Sequence, residues 1–597
     1  METNITRALI KERETIGYTL LALATTIILV NIAALAHIHY WTTIGRVTYK
    51  KTVTPLTGNT TQDLLITATL LTITTVLTVG TKKKRALTPP LTLTALSILT
   101  TLLNNPQATL ILQTTAIASI IYHAAKTNRL TQLKQGILYT IAGVEVPVIL
   151  FYTYKVITGQ NLTQLIQAVQ LEATIWGLLW WTCPTVLFLA PILKLLQMPR
   201  LRNMKQNKQS QSGNLNDRGE GLQETSKKRD TAIYLTLGAT LSLLIPLIPY
   251  LPHLNPKQHP VNVDWIYYYN WLKIMIKEGP QTVLTIAYGS RPIHLLLLYA
   301  LWFLTRLDPK TIAVHHNLLL FPLYTLSMYY MTREYYGREV AKYALLITPL
   351  TPIFISFLYG GFQANLLALS LWMLTLGLLA KPTRKRLTAA TALSTLTVFI
   401  HPWTWTQYIG TLTAIIAANI ILSKMGNKRL LRENLTKPIL TLILVNIVAN
   451  MIKEVTLKTL GATEALQRTL IRSLLTQKTI LKDPIGTLNF IFNIYTWGSL
   501  NYPLYYISYT QGYLQTPLTL ISWLTIIPLT LTPLTNVVLF YRILLNIPLT
   551  IFMLVSMKNS NPTSKLVLTL HLTALTLRNL VNSIPGQTIY SQYLLKP

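Results

Sequence analysis

The sequence predicts an all-α protein built as a polytopic bundle of transmembrane helices. Of its 597 residues, 51% are hydrophobic and only 12% carry a charge, and the mean hydropathy is +0.40. A soluble globular protein carries about 25% charged residues. Apolar runs of about 17 to 25 residues, the length that crosses a bilayer as a helix, recur along almost the whole chain.

The charge of the chain is strongly positive, with 52 Lys and Arg residues against 19 Asp and Glu residues and a net charge of +33 at pH 7. In membrane proteins, basic residues in short cytoplasmic loops set the orientation of the helices and contact anionic lipid. We therefore assign this charge to membrane lipid as a partner and not to nucleic acid. The single cysteine, Cys183, excludes a disulfide framework and a thiolate metal site.

The N-terminal part is predicted to hold about six spans, with the N-terminus in the cytoplasm. The first apolar run, Ile16 to Ile38, is long enough to span, and the sixth span is placed at Thr174 to Leu196. Basic clusters precede the first span and follow each even-numbered span, as the positive-inside rule requires. This membrane domain, residues 1–197, carries no pattern that assigns it a role.

One long polar segment, residues 198–230, follows these spans. It is rich in Gln, Asn, Ser, Gly and charged residues and has no hydrophobic periodicity. Such a composition is typical of a disordered linker. We therefore predict a cytoplasmic linker that separates the domain 1–197 from a second membrane domain, residues 231–597.

The second domain begins with a span that runs outward, from Thr231 to Leu251, so that the loop 252–291 is extracytoplasmic. This loop carries Asp264 and a run of three tyrosines beginning at Tyr267. The apolar core that follows, Pro292 to Leu304, has only about 13 residues, which is short for a span. If it lies against the outer leaflet, the later basic segments are all cytoplasmic, and the whole chain has about 17 spans.

The same topology places further polar groups on the extracytoplasmic side. These are the HPWTW segment beginning at His401 and Arg542 at the start of a later span. The segment Lys453 to Lys482 alternates leucines with basic residues and predicts an amphipathic helix on the outer membrane surface. A structural explanation is also available for each of these groups. Aromatic residues favour membrane interfaces, and an arginine at a helix end snorkels toward the headgroups.

The order of these elements resembles the GT-C superfamily of membrane glycosyltransferases, which use polyprenyl-phosphate sugars, such as protein O-mannosyltransferases and lipid A aminoarabinose transferases. The resemblance lies in an outward span, a loop with an early acid and aromatics, and the juxtamembrane helix RPIHLLLLYALWFL from Arg291. It continues through HHNLLLFPLYTLSMYYMTREYYGREVAKYALLITPLTPIFISFLYGG and covers roughly residues 231–422. It implies a GT-C-like fold for the C-terminal part.

The resemblance also implies roles for individual residues. The early acid of the loop, Asp264, would be the catalytic residue, while Arg291, His294 and Arg542 would bind the lipid phosphate of the donor. The chain departs from the superfamily at the second acid of this loop. Asp264 is followed by a tryptophan, and the next acid is Glu278.

The chemistry of sugar transfer from a lipid phosphate asks for the same residue types. A base must take a proton from the acceptor, and cations must stabilise the leaving phosphate. Asp264 is the only acid from residue 255 to residue 276, and aromatic rings suit the faces of a sugar. For the sugar or acceptor pocket we name Tyr268, His401, Trp403 and Trp405. The donor substrate would be a polyprenyl-phosphate-linked sugar, and the sequence assigns no cofactor with certainty.

A divalent cation is an alternative feature of this site, held by Asp264, His316 and His401, because carboxylate and imidazole together suit transition metals. The chain has no spaced metal motif such as His-Glu-x-x-His to support it. Two other classes of function also stay open. One is a transporter or a lipid or glycan flippase, for which Glu145, an acid within an apolar run, is the relevant residue.

The other open class is a non-catalytic membrane scaffold, in which the tyrosines form an interfacial belt and Asp264 is solvated. In the glycosyltransferase interpretation, the chain is a multi-pass protein of the cell membrane with an extracytoplasmic active site. The identities of the sugar and of the acceptor, and the oligomeric state, are left open by the sequence.

Overall fold

We describe the protein from a computed structural model, in which the described residues are 2–44, 47–79, 84–204, 221–424, 431, 433–460, 480–494 and 498–584. They are almost entirely helical. The one sheet among them is an antiparallel hairpin of β1 (His39–Ile44) and β2 (Val47–Thr52), in which Ile44 pairs with Val47. The predicted helical architecture therefore holds, with this hairpin as an addition that the all-α prediction did not include.

Residue contacts divide the chain into two compact units. The described residues of the first unit lie within 1–180 and 560–578. Its helices are α1 (Glu2–Leu35), α2 (Thr60–Val79), α3 (Lys84–Leu102), α4 (Pro106–Lys126), α5 (Leu130–Thr158), α6 (Ile166–Leu178) and, up to Arg578, the helix α24 (Pro562–Asn582).

The described residues of the second unit lie within 181–559 and 579–584. Its helices are α7 (Thr182–Met204), α8 (Gly221–Leu244), α9 (Trp265–Glu278), α10 (Pro292–Thr305), α11 (Pro309–His315), α12 (Asn317–Tyr336), α13 (Arg338–Ile347), α14 (Pro352–Gly360), α15 (Gln363–Leu379), α16 (Arg384–Val398), α17 (Pro402–Lys424), α18 (Glu433–Thr459), α19 (Pro484–Asn489), α20 (Pro503–Gln515), α21 (Leu520–Leu531), α22 (Val537–Asn546) and α23 (Leu549–Asn559).

Seven helices in the described part of the chain are long and apolar enough to cross a membrane, and up to ten spans result if each of three bent helix pairs counts as one. This supports a multi-pass membrane protein, while the total of about 17 spans stays a prediction. Helix α10 has 14 residues. At about 1.5 Å per residue it is shorter than the hydrocarbon core of about 30 Å, as expected for a helix that does not span.

The core of the first unit lies where α1 packs against α2 and α4. Its buried side chains include Tyr18 and Leu21 from α1, Leu71 from α2 and Ile120 from α4. The many threonines of these helices satisfy their own hydroxyls, because Oγ1 donates to the carbonyl four residues earlier, as in Thr75 to Leu71 at 2.7 Å. A Thr-rich helix can therefore be buried or face lipid without leaving an unpaired hydroxyl.

The second unit packs α12 against α8, α13 and α15, and α20 against α7 and α23. The contact between α20 and α23 depends on Gly512. A β-carbon at Gly512 would clash with the backbone carbonyl oxygen of Phe552. Only glycine allows two helix backbones to approach this closely, so the sequence of α20 determines this packing.

Two sequence expectations need correction in the described residues. The single span predicted from Thr174 to Leu196 is broken, because α6 ends at Leu178 and a new helix begins at Thr182. Pro184 falls in the first turn of α7, where its missing N–H costs no hydrogen bond and favours a helix start. Both ends of the predicted linker 198–230 are helical, because α7 continues to Met204 and α8 begins at Gly221.

The helical ends of this linker contain Gln, Glu, Lys and Arg, which are good helix formers. Residues 205–220 of the linker and residues 461–479 of the predicted amphipathic segment lie outside the described residues. The predicted domains 1–197 and 231–597 stay a prediction, since they were drawn from charge and composition and not from contacts.

Candidate active site

The loop that carries Asp264 is attached to the end of α14. The backbone N–H of Val263 donates to the carbonyl oxygen of Tyr359 over 2.8 Å. Asp264 then begins α9 as its N-terminal cap residue, although its side chain makes no capping hydrogen bond. The carboxyl group is therefore held in place by the backbone on both sides and remains available for other partners.

A glycine allows the Asp264 loop to approach the end of α14. Gly361 has a φ angle of +66° and ends α14 in the left-handed conformation that glycine adopts without strain. A β-carbon at this position would lie 3.0 Å from the backbone nitrogen of Asp264 and 3.3 Å from its Cβ. The Tyr-Gly-Gly sequence at the end of α14 therefore positions the acid.

Burial and the nearby positive charges shift the pKa of Asp264 in opposite directions. Burial raises the pKa of the Asp264 carboxyl to about 6, and the positive charges of Arg542 and then Arg291 limit this rise. The side chain is half-buried. It makes no hydrogen bond or ion pair with any described residue. Asp264 thus combines a carboxylate that is ionised at neutral pH with an unoccupied hydrogen-bonding capacity.

Arg542 reaches this loop from α22. Its guanidinium carbon lies 5.9 Å from the ring centroid of Phe362, and that ring packs against Tyr541 at 5.9 Å. Phe362 directly follows Gly361 in the chain. The ring contact therefore keeps the positive charge of Arg542 next to the residues that contact Asp264.

Arg291 approaches from the residue before α10. Its Nη1–H donates to the hydroxyl oxygen of Tyr268 over 3.2 Å, and its guanidinium lies 5.1 Å from the ring centroid of Trp271. The same hydroxyl oxygen accepts the backbone N–H of Ala364 over 3.3 Å. Burial raises the pKa of Tyr268, so the phenol stays neutral. Tyr268 is thus a buried hydrogen-bond partner of Arg291, and its predicted contact with a sugar stays a prediction.

Two buried histidines lie behind Tyr268. The rings of His294 and His316 are 5.2 Å apart, and they lie 5.3 Å and 5.8 Å from the Tyr268 ring. His316 Nδ1 donates to the carbonyl oxygen of Ile312 over 3.0 Å. Burial lowers the pKa of His316 to about 4 and that of His294 well below its usual value, so both are neutral.

The remaining ring nitrogens of this pair, His316 Nε2 and both nitrogens of His294, have no hydrogen-bond partner among the described residues. Buried polar atoms normally have partners, and exceptions cluster at functional sites. The pair therefore adds neutral hydrogen-bonding capacity to the site without adding charge.

His401 joins the same group of residues. The backbone N–H of Ile293 donates to the carbonyl oxygen of Phe399 over 3.1 Å and so attaches the start of α10 to the segment before α17. His401 Nδ1 accepts the backbone N–H of Thr404 over 3.3 Å and caps α17. Burial lowers the pKa of His401 well below its usual value, and the positive charges of Arg291 and Arg542 lower it further.

The two tryptophans of the HPWTW segment have different surroundings. The indole N–H of Trp405 donates to Asn446 Oδ1 of α18 over 3.0 Å, and Asn446 Nδ2 donates to Ser394 Oγ of α16 over 2.8 Å. Trp405 is buried, whereas Trp403 is half-buried. The structure thus places Trp405 in a polar contact between helices, and its predicted contact with a sugar stays a prediction.

Some residues of this region were not singled out from the sequence. Asn262 Nδ2 donates to the carbonyl oxygen of Val314 over 3.2 Å, and Gln363 Nε2 donates to that of Ala313 over 3.0 Å. Both amides tie their segments to the end of α11. In the sequence, Asn262 and Gln363 are marked only by an amide side chain beside an apolar run. Many loops have such a residue, so it does not indicate a site.

The site therefore brings together Asp264, Arg291 and Arg542 with neutral Tyr268, His294, His316 and His401. In the part of the chain that the structure describes, no group of three or more His, Cys, Asp or Glu side chains is placed to hold a metal ion. Two guanidinium groups beside one carboxylate suit an anionic ligand with a proton to remove. In comparisons with known proteins, no family model and no curated protein sequence matches this chain.

Proposed function

We propose that the second unit is a membrane glycosyltransferase that moves a sugar from a polyprenyl-phosphate donor to an acceptor on the extracytoplasmic face. One observation carries the proposal. The half-buried carboxyl group of Asp264 lies near two arginines from separate elements and forms no ion pair with a described residue. A merely structural acid in such a position would be expected to pair with one of them.

In this mechanism, Asp264 accepts the proton of the acceptor hydroxyl or amide as that group attacks the sugar. The new bond forms at the anomeric carbon, and the bond from that carbon to the phosphate oxygen breaks. The electron pair leaves with the phosphate, which Arg542 and Arg291 stabilise by charge-assisted hydrogen bonds. Tyr268 orients Arg291 through the bond to its Nη1.

The neutral histidines supply hydrogen bonds in this scheme and leave the local charge unchanged. His316 Nε2 is an acceptor, because Nδ1 donates to the carbonyl oxygen of Ile312. It is therefore suited to a sugar hydroxyl. A base works best when its pKa lies near the operating pH, and the pKa of Asp264, at about 6, meets that condition.

The test uses the full chain in lipid vesicles with polyprenyl-phosphate-hexose as donor, and it measures the release of polyprenyl phosphate. We expect Asp264→Asn to lower the rate by about 100-fold or more. The control is Glu278→Gln, which removes an exposed carboxylate at the other end of α9. The wild-type rate should rise with pH through about 6, where Asp264 ionises. An unchanged rate in Asp264→Asn would refute its role as base.

Binding of the lipid phosphate is tested separately. Polyprenyl phosphate should raise the melting temperature of the wild type, whereas uncharged polyprenol should not. Arg542→Met keeps an unbranched side chain that matches the aliphatic part of arginine and removes the charge, and it should abolish this difference. If Arg542→Met binds polyprenyl phosphate as well as the wild type does, the phosphate is held elsewhere.

A transporter is the second candidate function, and a specific observation favours it. Glu145 is fully buried within the candidate span Leu130–Thr158 of the first unit. Ionisable residues inside membranes commonly mark transport pathways. If the purified chain moves a lipid-linked sugar across liposomes while leaving its chemical bonds intact, this second function replaces the first.

A further inference from the structure

The first unit contains a cluster of ionisable side chains that the proposed transferase does not use. It is built where three helices, α5, α6 and α24, contribute buried residues and one half-buried arginine. The members are Glu145 from α5, Glu172 and Trp176 from α6, and His571 and Arg578 from α24. Buried charges are expensive, and inside a membrane they are commonly functional.

The contacts within this cluster form two pairs. Arg578 Nη1 donates to Glu172 Oε2 over 2.5 Å, which makes a guanidinium–carboxylate ion pair. His571 Nδ1 lies 2.8 Å from Glu145 Oε1, and the Trp176 indole N–H donates to the same oxygen over 3.0 Å. The indole packs edge-on against the imidazole at 4.7 Å, which fixes both rings.

Each of the two glutamates keeps one oxygen that has no hydrogen-bond partner among the described residues. These oxygens are Glu145 Oε2 and Glu172 Oε1, and both belong to side chains with no solvent exposure. Two donors already converge on Oε1 of Glu145 when the imidazole is neutral and carries its proton on Nδ1. Oε2 is therefore the oxygen of Glu145 that has capacity for one further proton.

The position of Glu145 along α5 places its capacity to bind a proton deep in the membrane. Helix α5 has 29 residues and is one of the candidate spans. Glu145 lies about 22 Å along the axis from its start at Leu130. A hydrocarbon core is about 30 Å thick, so neither end of the helix brings water to this carboxyl.

The charges of the cluster do not balance when both carboxylates are ionised. Among the described members of the cluster, two negative groups face the guanidinium of Arg578 and a neutral His571 adds no charge, so these members would carry one net negative charge. Burying an uncompensated charge in an apolar medium costs several kcal/mol or more. One bound proton removes this charge.

The other ionisable side chains on the neighbouring helices either form their own ion pair or lie in the last turn of a helix. Glu14 of α1 pairs with Arg129, which precedes α5. His123 and Lys126 lie in the last turn of α4. Lys155 lies about ten residues beyond Glu145 on α5, about 15 Å along the axis. In the part of the chain that the structure describes, Glu172, His571 and Arg578 are thus the ionisable groups that contact or neighbour Glu145.

We propose that Glu145 is a proton-binding site in the membrane, which holds its proton on Oε2 while Oε1 accepts hydrogen bonds from Trp176 and His571. Glu172 stays ionised against Arg578. Release of the proton changes the charge of the buried cluster by one unit, which is the property that proton-coupled membrane proteins use. The proposal concerns the first unit and does not rest on the transferase activity of the second.

Infrared difference spectroscopy of the full chain in lipid nanodiscs tests this site directly. A protonated carboxylic acid has a carbonyl stretch that a carboxylate lacks. We expect the wild type to show this band at pH 7.5 and Glu145→Gln to lose it. Incorporation of ¹³C-labelled glutamate should shift the band of the unmutated protein, which assigns it to a glutamic acid without relying on the folding of a variant.

Two further variants separate the members of the cluster. Arg578→Met removes the guanidinium that pairs with Glu172 and should increase the band about twofold, because both carboxyl groups then bind a proton. Glu12→Gln removes an exposed acid from α1 and should leave the band unchanged. The proposal is overturned if the wild type shows no such band at pH 7.5, or if the band persists in Glu145→Gln.

Discussion

Replacing Asp264 with asparagine should stabilise the folded protein at neutral pH, because the wild-type carboxylate is ionised in a place that resists ionisation. Burial raises the pKa of Asp264 from its usual value of 3.8 to about 6. Below about pH 4 both the folded and the unfolded chain hold the proton, so the residue has little effect there. As the pH rises through this window, the unfolded chain ionises first and the folded state loses stability.

The magnitude follows from the size of the shift. A difference of about two pKa units corresponds to about 3 kcal/mol at pH 7.5 and about half of that at pH 5. Asparagine has nearly the same shape and no charge, so Asp264→Asn should recover this free energy. For a unit of this size the gain corresponds to a rise in melting temperature of about 4 °C at pH 7.5.

The assay is thermal unfolding followed by tryptophan fluorescence in lipid nanodiscs at pH 7.5 and at pH 5. The control Glu278→Gln changes the same charge at an exposed position on α9 and should shift the melting temperature by less than 1 °C, which is roughly the size of a surface substitution. A stabilisation by Asp264→Asn that is equal at both pH values would refute the reasoning, as would a destabilisation at pH 7.5. Gain of stability with loss of activity is typical of a strained functional residue.

Three further predictions concern the neighbours of Asp264. Gly361→Ala should destabilise the protein by about 1 to 2 kcal/mol and slow transfer, whereas Gly337→Ala, which has a φ angle of +87° but open space around it, should show only the backbone strain in thermal unfolding. Tyr268→Phe leaves the N–H of Ala364 and Arg291 without their acceptor. It should raise the KM for the donor more than it lowers kcat, and an unchanged KM would remove Tyr268 from the site. Trp405→Phe should cost about 1 to 3 kcal/mol by leaving Asn446 Oδ1 unpaired, with unchanged transfer per folded molecule. A loss of transfer would place the Trp405 ring in the sugar pocket.

The approach of Asp264 to Arg291 and Arg542 shows what the sequence can and cannot predict. Charge topology assigned the loop and the start of α22 to one membrane face, which narrowed the set of partners for Asp264. It did not predict that Phe362 would hold Arg542 beside the loop, because a contact between the ring of the residue before α15 and an arginine of α22 leaves no local pattern. The roles of these residues stay predictions until activity is measured.

The residue types of β1 and β2 indicate a hairpin, although a hydropathy profile does not take them into account. HYWTTI and VTYKKT are rich in aromatic and β-branched residues and are separated by Gly-Arg, which is typical of a hairpin. The partners of Glu145 had no such signal. His571 lies 426 residues further along the chain, and only the packing of α24 brings it to α5.

The return of α24 to the first unit has a consequence for the biogenesis of this protein. Glu172 and its partner Arg578 are 406 residues apart. At about 5 to 20 residues per second, the ribosome needs about 20 to 80 seconds to make that distance. During this time the helices of the first unit that are made early lack the residues of α24 that pair with Glu145 and Glu172. A chain released before residue 560 should therefore be recognised as incomplete and degraded.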